Sequence, residues 1–181
     1  DAALVHLRRA MVLAPDSLAP RAMLARFYDQ QRRNDEAEKI WAETAQRFPG
    51  HNGVAFDLAA CREKLGDLAG AEAAVRDVLR REPDHPTALN FLGYLWADHD
   101  RNLDEAVERI VRALAQDPDN GAYLDSLGWA YYRLGRLAEA RVELERAARL
   151  TGGDPVVLEH LGDVYKDLAL KDLAREQYRL S

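Results

Sequence analysis

The chain has little with which to staple itself, cross a bilayer or grip a polyanion. One of its 181 residues, Cys61, is cysteine, so an internal disulfide is excluded. No apolar run approaches the roughly 18 residues of a spanning helix, which excludes direct membrane insertion through this stretch. There is no excess of basic charge. Against 31 acidic residues stand 25 Lys and Arg, a net charge of −6, whereas a nucleic-acid partner asks for a basic stripe. The basic residues are mostly Arg, interleaved with Glu and Asp as on solvated helix faces. No signal-peptide pattern opens the chain, and no low-complexity segment or flexible linker interrupts it.

Repetition is what the sequence has in abundance. Residues 120–150 read as two helical runs around a glycine turn. Tyr123, Leu124, Leu127, Gly128, Tyr131 and Tyr132 share one face of the first run. Gly135 sits where a helix end tolerates a left-handed residue. Leu137, Ala140, Leu144, Ala147 and Ala148 form the stripe of the second. The rest of the chain copies this unit. Ala3, Ala37, Ala71, Ala106, Ala140 and Ala174 form a column with steps of 34, 34, 35, 34 and 34 residues. Leu24, Leu58, Leu92, Leu127 and Leu161 keep the same register. So do the small residues Ala25, Ala59, Gly93, Gly128 and Gly162, and Pro15, Pro49, Pro83 and Pro118 with Gly152 in the fifth place. Four columns in one register mark a repeat architecture, in which each unit buries its apolar face against its neighbours.

The unit resembles the tetratricopeptide repeat. LDSLGWAY at 124–131, EAVERIVRALAQDP at 105–118 and LEHLGDVY at 158–165 follow that family's pattern. The second full repeat departs most, with Arg62 in the aromatic column and Ala59 in the glycine column. The resemblance implies an all-α fold, a right-handed solenoid of stacked antiparallel hairpins, with eleven helices and no strand. A single array over 1–181 is expected. It begins with the second helix of a truncated repeat at 1–17, continues through full repeats at 18–51, 52–85, 86–120 and 121–154, and ends in an incomplete repeat at 155–181. HDRNLDEA at 99–106 carries one extra residue in its turn and lacks the usual glycine. Both ends read as cut. The stripe Leu4, Leu7, Met11 has no helix before it, and Leu173 and Tyr178 have none after. Open apolar ends of this kind are expected to seek a partner, another copy of the chain included.

Catalysis needs convergent groups, and none appears with diagnostic spacing, so no enzyme activity, cofactor or metal is expected. The five histidines are scattered. His51 and His85 fall in equivalent turns and read as solvated; a metal site there would need further ligands, and Asp98-His99-Asp100, also read as a turn, implies no other ligand. Cys61 occupies a helix column held elsewhere by Phe27, Leu95, Ala130 and Val164, and reads as a small buried hydrophobe.

In the family, first helices line an inner groove that holds the ligand. Carried onto this sequence, the residues facing the groove run from Ala22, Arg26 and Asp29, through Asp57 and Lys64, to Glu159, His160 and Asp163. The richest stretch is Asn90, Phe91, Tyr94, Asp125, Ser126, Trp129, Tyr132 and Arg133. Rings with polar groups close by are the composition of a binding hot spot; the alternative is that these rings fill the seam between repeats. The clamp by which some members hold acidic chaperone C-termini is not assembled, since its places hold Ala22, Arg26, Asp57 and Phe91. The resemblance therefore implies a scaffold or adaptor that binds a partner helix or peptide. The alternatives are an accessory repeat domain of a larger enzyme, such as a glycosyltransferase or kinase, and a self-assembling scaffold. LNFLGYLWADHDRNLDEA with AYLDSLGWAYYRLGRLAEA is similar to bacterial members that are often exported or lipoprotein-anchored. Some of these are adaptors for periplasmic carboxyl-terminal processing proteases. This implies a bacterial, periplasmic or outer-membrane-lipoprotein setting.

Overall fold

The computed structural model describes residues 2–181, with side chains from Leu4 onward, so the side chain of Ala3 lies outside the described residues. The described residues form eleven α-helices and no strand, joined by short turns. The chain divides into two compact units, Asp1–Pro83 and Asp84–Ser181.

The first unit holds α1 (Ala2–Leu13), α2 (Leu18–Gln30), α3 (Asn34–Arg47), α4 (Asn52–Lys64) and α5 (Leu68–Arg81), each packed on the next. Leu24, Ala25, Tyr28, Ala37, Trp41, Val54, Leu58 and Cys61 form its main buried cluster. Leu4, Leu7 and Met11 pack half-buried against this cluster. The stripe expected to lack a partner is thus turned toward the repeat that follows, and the apolar residues α1 leaves in solvent are Val5, Val12 and Leu13. Cys61 is 3% exposed, with its thiol donating to the Asn34 carbonyl at 3.4 Å. Burial pushes its pKa up, which leaves it the inert hydrophobe its column suggests.

The second unit holds α6 (Pro86–Asp98), α7 (Leu103–Leu114), α8 (Gly121–Arg133), α9 (Leu137–Leu150), α10 (Pro155–Asp167) and α11 (Lys171–Leu180). At its centre α8 packs on α6, α7, α9 and α10. The leucine column is buried throughout both units, as are Ala37, Ala71, Ala106, Ala140 and Ala174 of the alanine column. The small column is small for a steric reason. A Cβ at Gly128 would stand 2.5 Å from Leu144 Cγ, and one at Gly93 would stand 2.6 Å from Ile110 Cγ1. The paired second helix fills the place of the missing side chain.

Three further columns emerge at the helix ends. The first is left-handed. Arg32, Gly66, Asp100, Gly135 and Ala169 have φ of 57°, 79°, 52°, 73° and 61°, one per hairpin turn. Gly135 behaves as its sequence position suggests. Asp100 replaces glycine in the irregular turn, and the extra residue there is absorbed by a second left-handed residue, Asn102 at φ 45°.

The second column caps the first helices. Nδ1 of His51 accepts the Val54 N–H and Nδ1 of His85 accepts the Ala88 N–H, both at 3.3 Å. Asn120 and Asp154 do the same for α8 and α10, at 3.2 and 2.9 Å. The two histidines read as solvated are therefore N-caps, meeting amide donors that helix geometry leaves unpaired.

The third column latches loops. Arg47 Nε donates to the Pro15 carbonyl at 2.8 Å and its guanidinium pairs with Asp16. Arg81 donates to the Gly50 carbonyl at 3.0 Å, Gln116 to that of Asp84 at 2.6 Å, and Arg146 to that of Pro118 at 2.8 Å. α3, α5 and α9, and the turn that follows α7, are thus tied back to the loop that precedes their own hairpin.

Candidate functional site

The candidate site lies on the first helices of the second unit. Side chains on α8 meet partners about one repeat away, and the offsets follow from stacking equivalent helices side by side. Trp129 Nε1 donates to Asp98 Oδ1 on the last residue of α6, at 3.1 Å and 31 residues' separation. Arg133, one turn later, donates to the Asp98 carbonyl at 3.1 Å and pairs with Asp100. Toward α10, the Tyr132 hydroxyl donates to Asp167 at 2.9 Å, and Asp125 meets His160 Nδ1 at 2.9 Å, each across 35 residues.

Trp129 is the hub. Its ring stacks on that of His160, centroids 4.2 Å apart and planes 18° apart, and on that of Tyr132 at 5.1 Å and 24°. The Arg133 guanidinium stands 5.4 Å from the Trp129 ring centre, within cation–π reach. Two stacks, one hydrogen bond and one cation fix the indole while leaving it half-buried rather than enclosed. The Tyr132 hydroxyl is pushed above its ordinary pKa by burial and by the Asp167 carboxylate, so it remains a donor through neutral pH.

The eight residues singled out in the sequence divide by depth. Trp129, Tyr132 and Arg133 come together as described. Phe91 and Tyr94 are half-buried on α6, which packs directly on α8. Asn90 is half-buried as well, and its Oδ1 is cut off from solvent without an acceptor's partner. Asp125 and Ser126, expected among the polar groups around the rings, lie at 8% and 4% exposure. Asp125 is taken up by His160, and Ser126 donates to the Ala122 carbonyl of its own helix at 3.0 Å. They support the wall from behind. Asp98, His160 and Asp167 fall at groove-facing positions of the first helices but outside those eight, and the one-repeat offsets from Trp129, Asp125 and Tyr132 lead to them.

The corresponding rungs in the first unit carry charge instead of rings. Arg26 pairs with Asp57 at 3.3 Å, 31 residues on, and Lys64 with Asp29 at 2.6 Å, 35 residues back. These pairs stand largely in solvent, where such bridges contribute little. Among the described residues no helix is long and apolar enough to cross a membrane.

The chain is similar to known proteins along most of its length. It is 40% identical over 133 residues to a TPR repeat-containing protein of Pseudomonas aeruginosa, a match spanning 72% of this chain and 22% of that protein. It is 28% identical over 127 residues to the protein O-mannosyl-transferase Tmtc3 of Drosophila melanogaster, spanning 70% of this chain and 14% of that one. The chain thus spans less than a quarter of these relatives' length. Among solved structures, a chain of the APC/C hetero-tetramer Cut9–Hcn1 superposes with a TM-score of 0.83 at 16% identity, over 96% of this chain and 34% of that one. The tetratricopeptide repeat model matches residues 22–76, 57–107 and 100–155. With hairpins in register, small residues under the paired helices and this match across most of the chain, the protein belongs to the tetratricopeptide repeat family.

Proposed function

We propose that this chain is a non-catalytic protein-binding module. Its repeat fold typically serves protein–protein interaction, and the reading that goes further is where the partner lies. A partner helix or extended peptide rests on the face made by α6, α8 and α10, with Trp129 and Tyr132 as its apolar anchors and Arg133 at the edge. The observation that carries this is the pose of Trp129: half-buried, yet held by His160, Tyr132 and Asp98. A ring ordered before the partner arrives loses little freedom on binding, which is how rigid aromatic anchors gain affinity.

The test is affinity capture from the host with the intact protein, identification of the partner, and titration of that partner against the double variant Trp129→Ala, Tyr132→Ala. We expect a loss of ≥2 kcal/mol, roughly thirtyfold or more in Kd. Helical circular dichroism should be retained. Unchanged affinity from a folded variant would remove the site from this face.

A second reading has one observation behind it. The Drosophila relative is named a transferase, and the match covers a small share of it. Under this reading the repeats are the accessory region of a larger enzyme, and the full-length sequence decides by containing a catalytic domain or lacking one.

A further inference from the structure

In the first unit, α1, α2 and α3 border an open cleft of about 430 Å³, lined by Arg8, Met11, Val12, Arg21, Leu24 and Ile40. Four of these residues are apolar and two are cationic; none is acidic. That is a local exception in a chain of net charge −6. Arg8 is held in place, donating to the Tyr28 hydroxyl at 2.9 Å. Arg21 is half-buried and lines the cleft, and its Nε, cut off from solvent, meets no acceptor. Buried donors are nearly always paired, and an unpaired one on a cation is costly. Val12, on the rim, is 78% exposed, so the apolar surface runs out of the cleft onto the helix beside it.

We propose that this cleft is a docking site for an acidic amphipathic helix of a partner protein. One large apolar side chain fills the space over Leu24, and a carboxylate one turn away accepts from Arg21. A guanidinium presents a planar fork of donors that suits a carboxylate. Residues four apart share a helix face, so a single turn of partner supplies both groups. The open side and the exposed Val12 call for an occupant that lies across the surface. The site is built from first-unit residues alone and does not depend on the Trp129 wall.

The test titrates the intact chain with a fluorescein-labelled, alanine-rich helical peptide carrying Leu and, four residues on, Glu, read by fluorescence anisotropy. Replacing the peptide Glu by Gln should weaken binding roughly tenfold. Arg21→Met, which keeps an apolar stem, should weaken it by a similar factor. The two changes together should lose little more than either alone, as for groups that act on each other. Val12→Asp alters a position too exposed to be needed for folding, and it should abolish binding. If Arg21→Met reduces helicity, the Glu/Gln peptide pair on the parent chain and Val12→Asp decide the matter. The proposal is overturned by absent binding at millimolar peptide, by equal affinity of the two peptides, or by insensitivity to Val12→Asp. It is also overturned if decanoate binds with dependence on Arg21 while the peptide does not, since the cleft would then serve a small amphiphile.

Discussion

At the hairpin turns, a left-handed backbone is imposed on whichever residue arrives there. Gly66 and Gly135 adopt it freely, whereas Arg32, Asp100 and Ala169 do so against steric preference. For an L-residue this conformation costs roughly 1–2 kcal/mol, least for Asp or Asn. Ala169 has no side-chain group to offset that cost. Ala169→Gly should therefore raise stability by about 0.5–1 kcal/mol, the relief being partly offset by the greater freedom of glycine in the unfolded chain. Urea unfolding of the pair measures it, and a destabilised variant would contradict the φ assigned there. These turns also mark a limit of what the sequence discloses. Two glycines two repeats apart, Gly66 and Gly135, advertise the slot, but nothing in an Arg, Asp or Ala reveals a positive φ. The histidine caps were opaque for a similar reason: imidazole nitrogen accepts an amide N–H as Ser or Asp oxygen does, but His is not among the preferred N-cap residues.

At the scale of the helix pair, the small column decides how closely backbones approach. Leu144 Cγ already occupies the space of a Cβ at Gly128, and the Ala140 carbonyl stands 3.2 Å from it. Gly128→Leu should destabilise by ~1–3 kcal/mol or more, because the intruding side chain meets a fully buried leucine that has nowhere to move. Thermal unfolding reads the change, and a midpoint equal to the parent's would mean that the α8–α9 seam is looser than its geometry. This feature was legible from Gly128 and Ala140 alone, because an interface repeated in every unit leaves a small residue in every unit. Trp129 was legible only in part. Its column placed it on the face of the first helices, but the choice between an open ring and a seam ring depends on where His160 and Tyr132 turn their planes. Side-chain torsions do not repeat every 34 residues, and the structure gives a mixed answer: a ring with its stacking partners that is still only half-buried.

For the molecule as a whole, the exposed Arg–carboxylate pairs contribute little each, and pH acts more sharply through the tyrosines. Burial and the Glu145 carboxylate raise the Tyr165 hydroxyl from 10.0 to about 12; burial and Asp163 raise Tyr178 equally, and Tyr132 moves in the same direction. A raised folded pKa means that the folded state holds its proton after the unfolded chain has released it. The folded state then binds more protons than the unfolded one, so stability falls as pH rises. The tyrosines' contribution should be level up to about pH 10 and decline between about pH 10 and 12. Tyr165→Phe should make that decline shallower, in urea titrations at stepped pH. An equal slope in the variant would show that the Tyr165–Glu145 bond is not maintained in solution. Across this larger scale the sequence was at its most informative. Helix number, hairpin register and buried columns follow from periodic Leu, Ala and Gly, because stacking repeats the same packing demand along the chain.

The latches have a consequence for how such a chain diverges. Arg47, Arg81 and Gln116 reach the preceding loop from one position of the repeat, while Arg112 and Arg146 reach it from the position four residues earlier. Around Asp84 both positions are used at once. A loop served from two addresses can lose either donor by mutation and keep its tether, so the bond can migrate between positions as copies of the unit drift apart. Comparing the repeats column by column would register such a tether as noise, although every hairpin from α2 to α9 carries one.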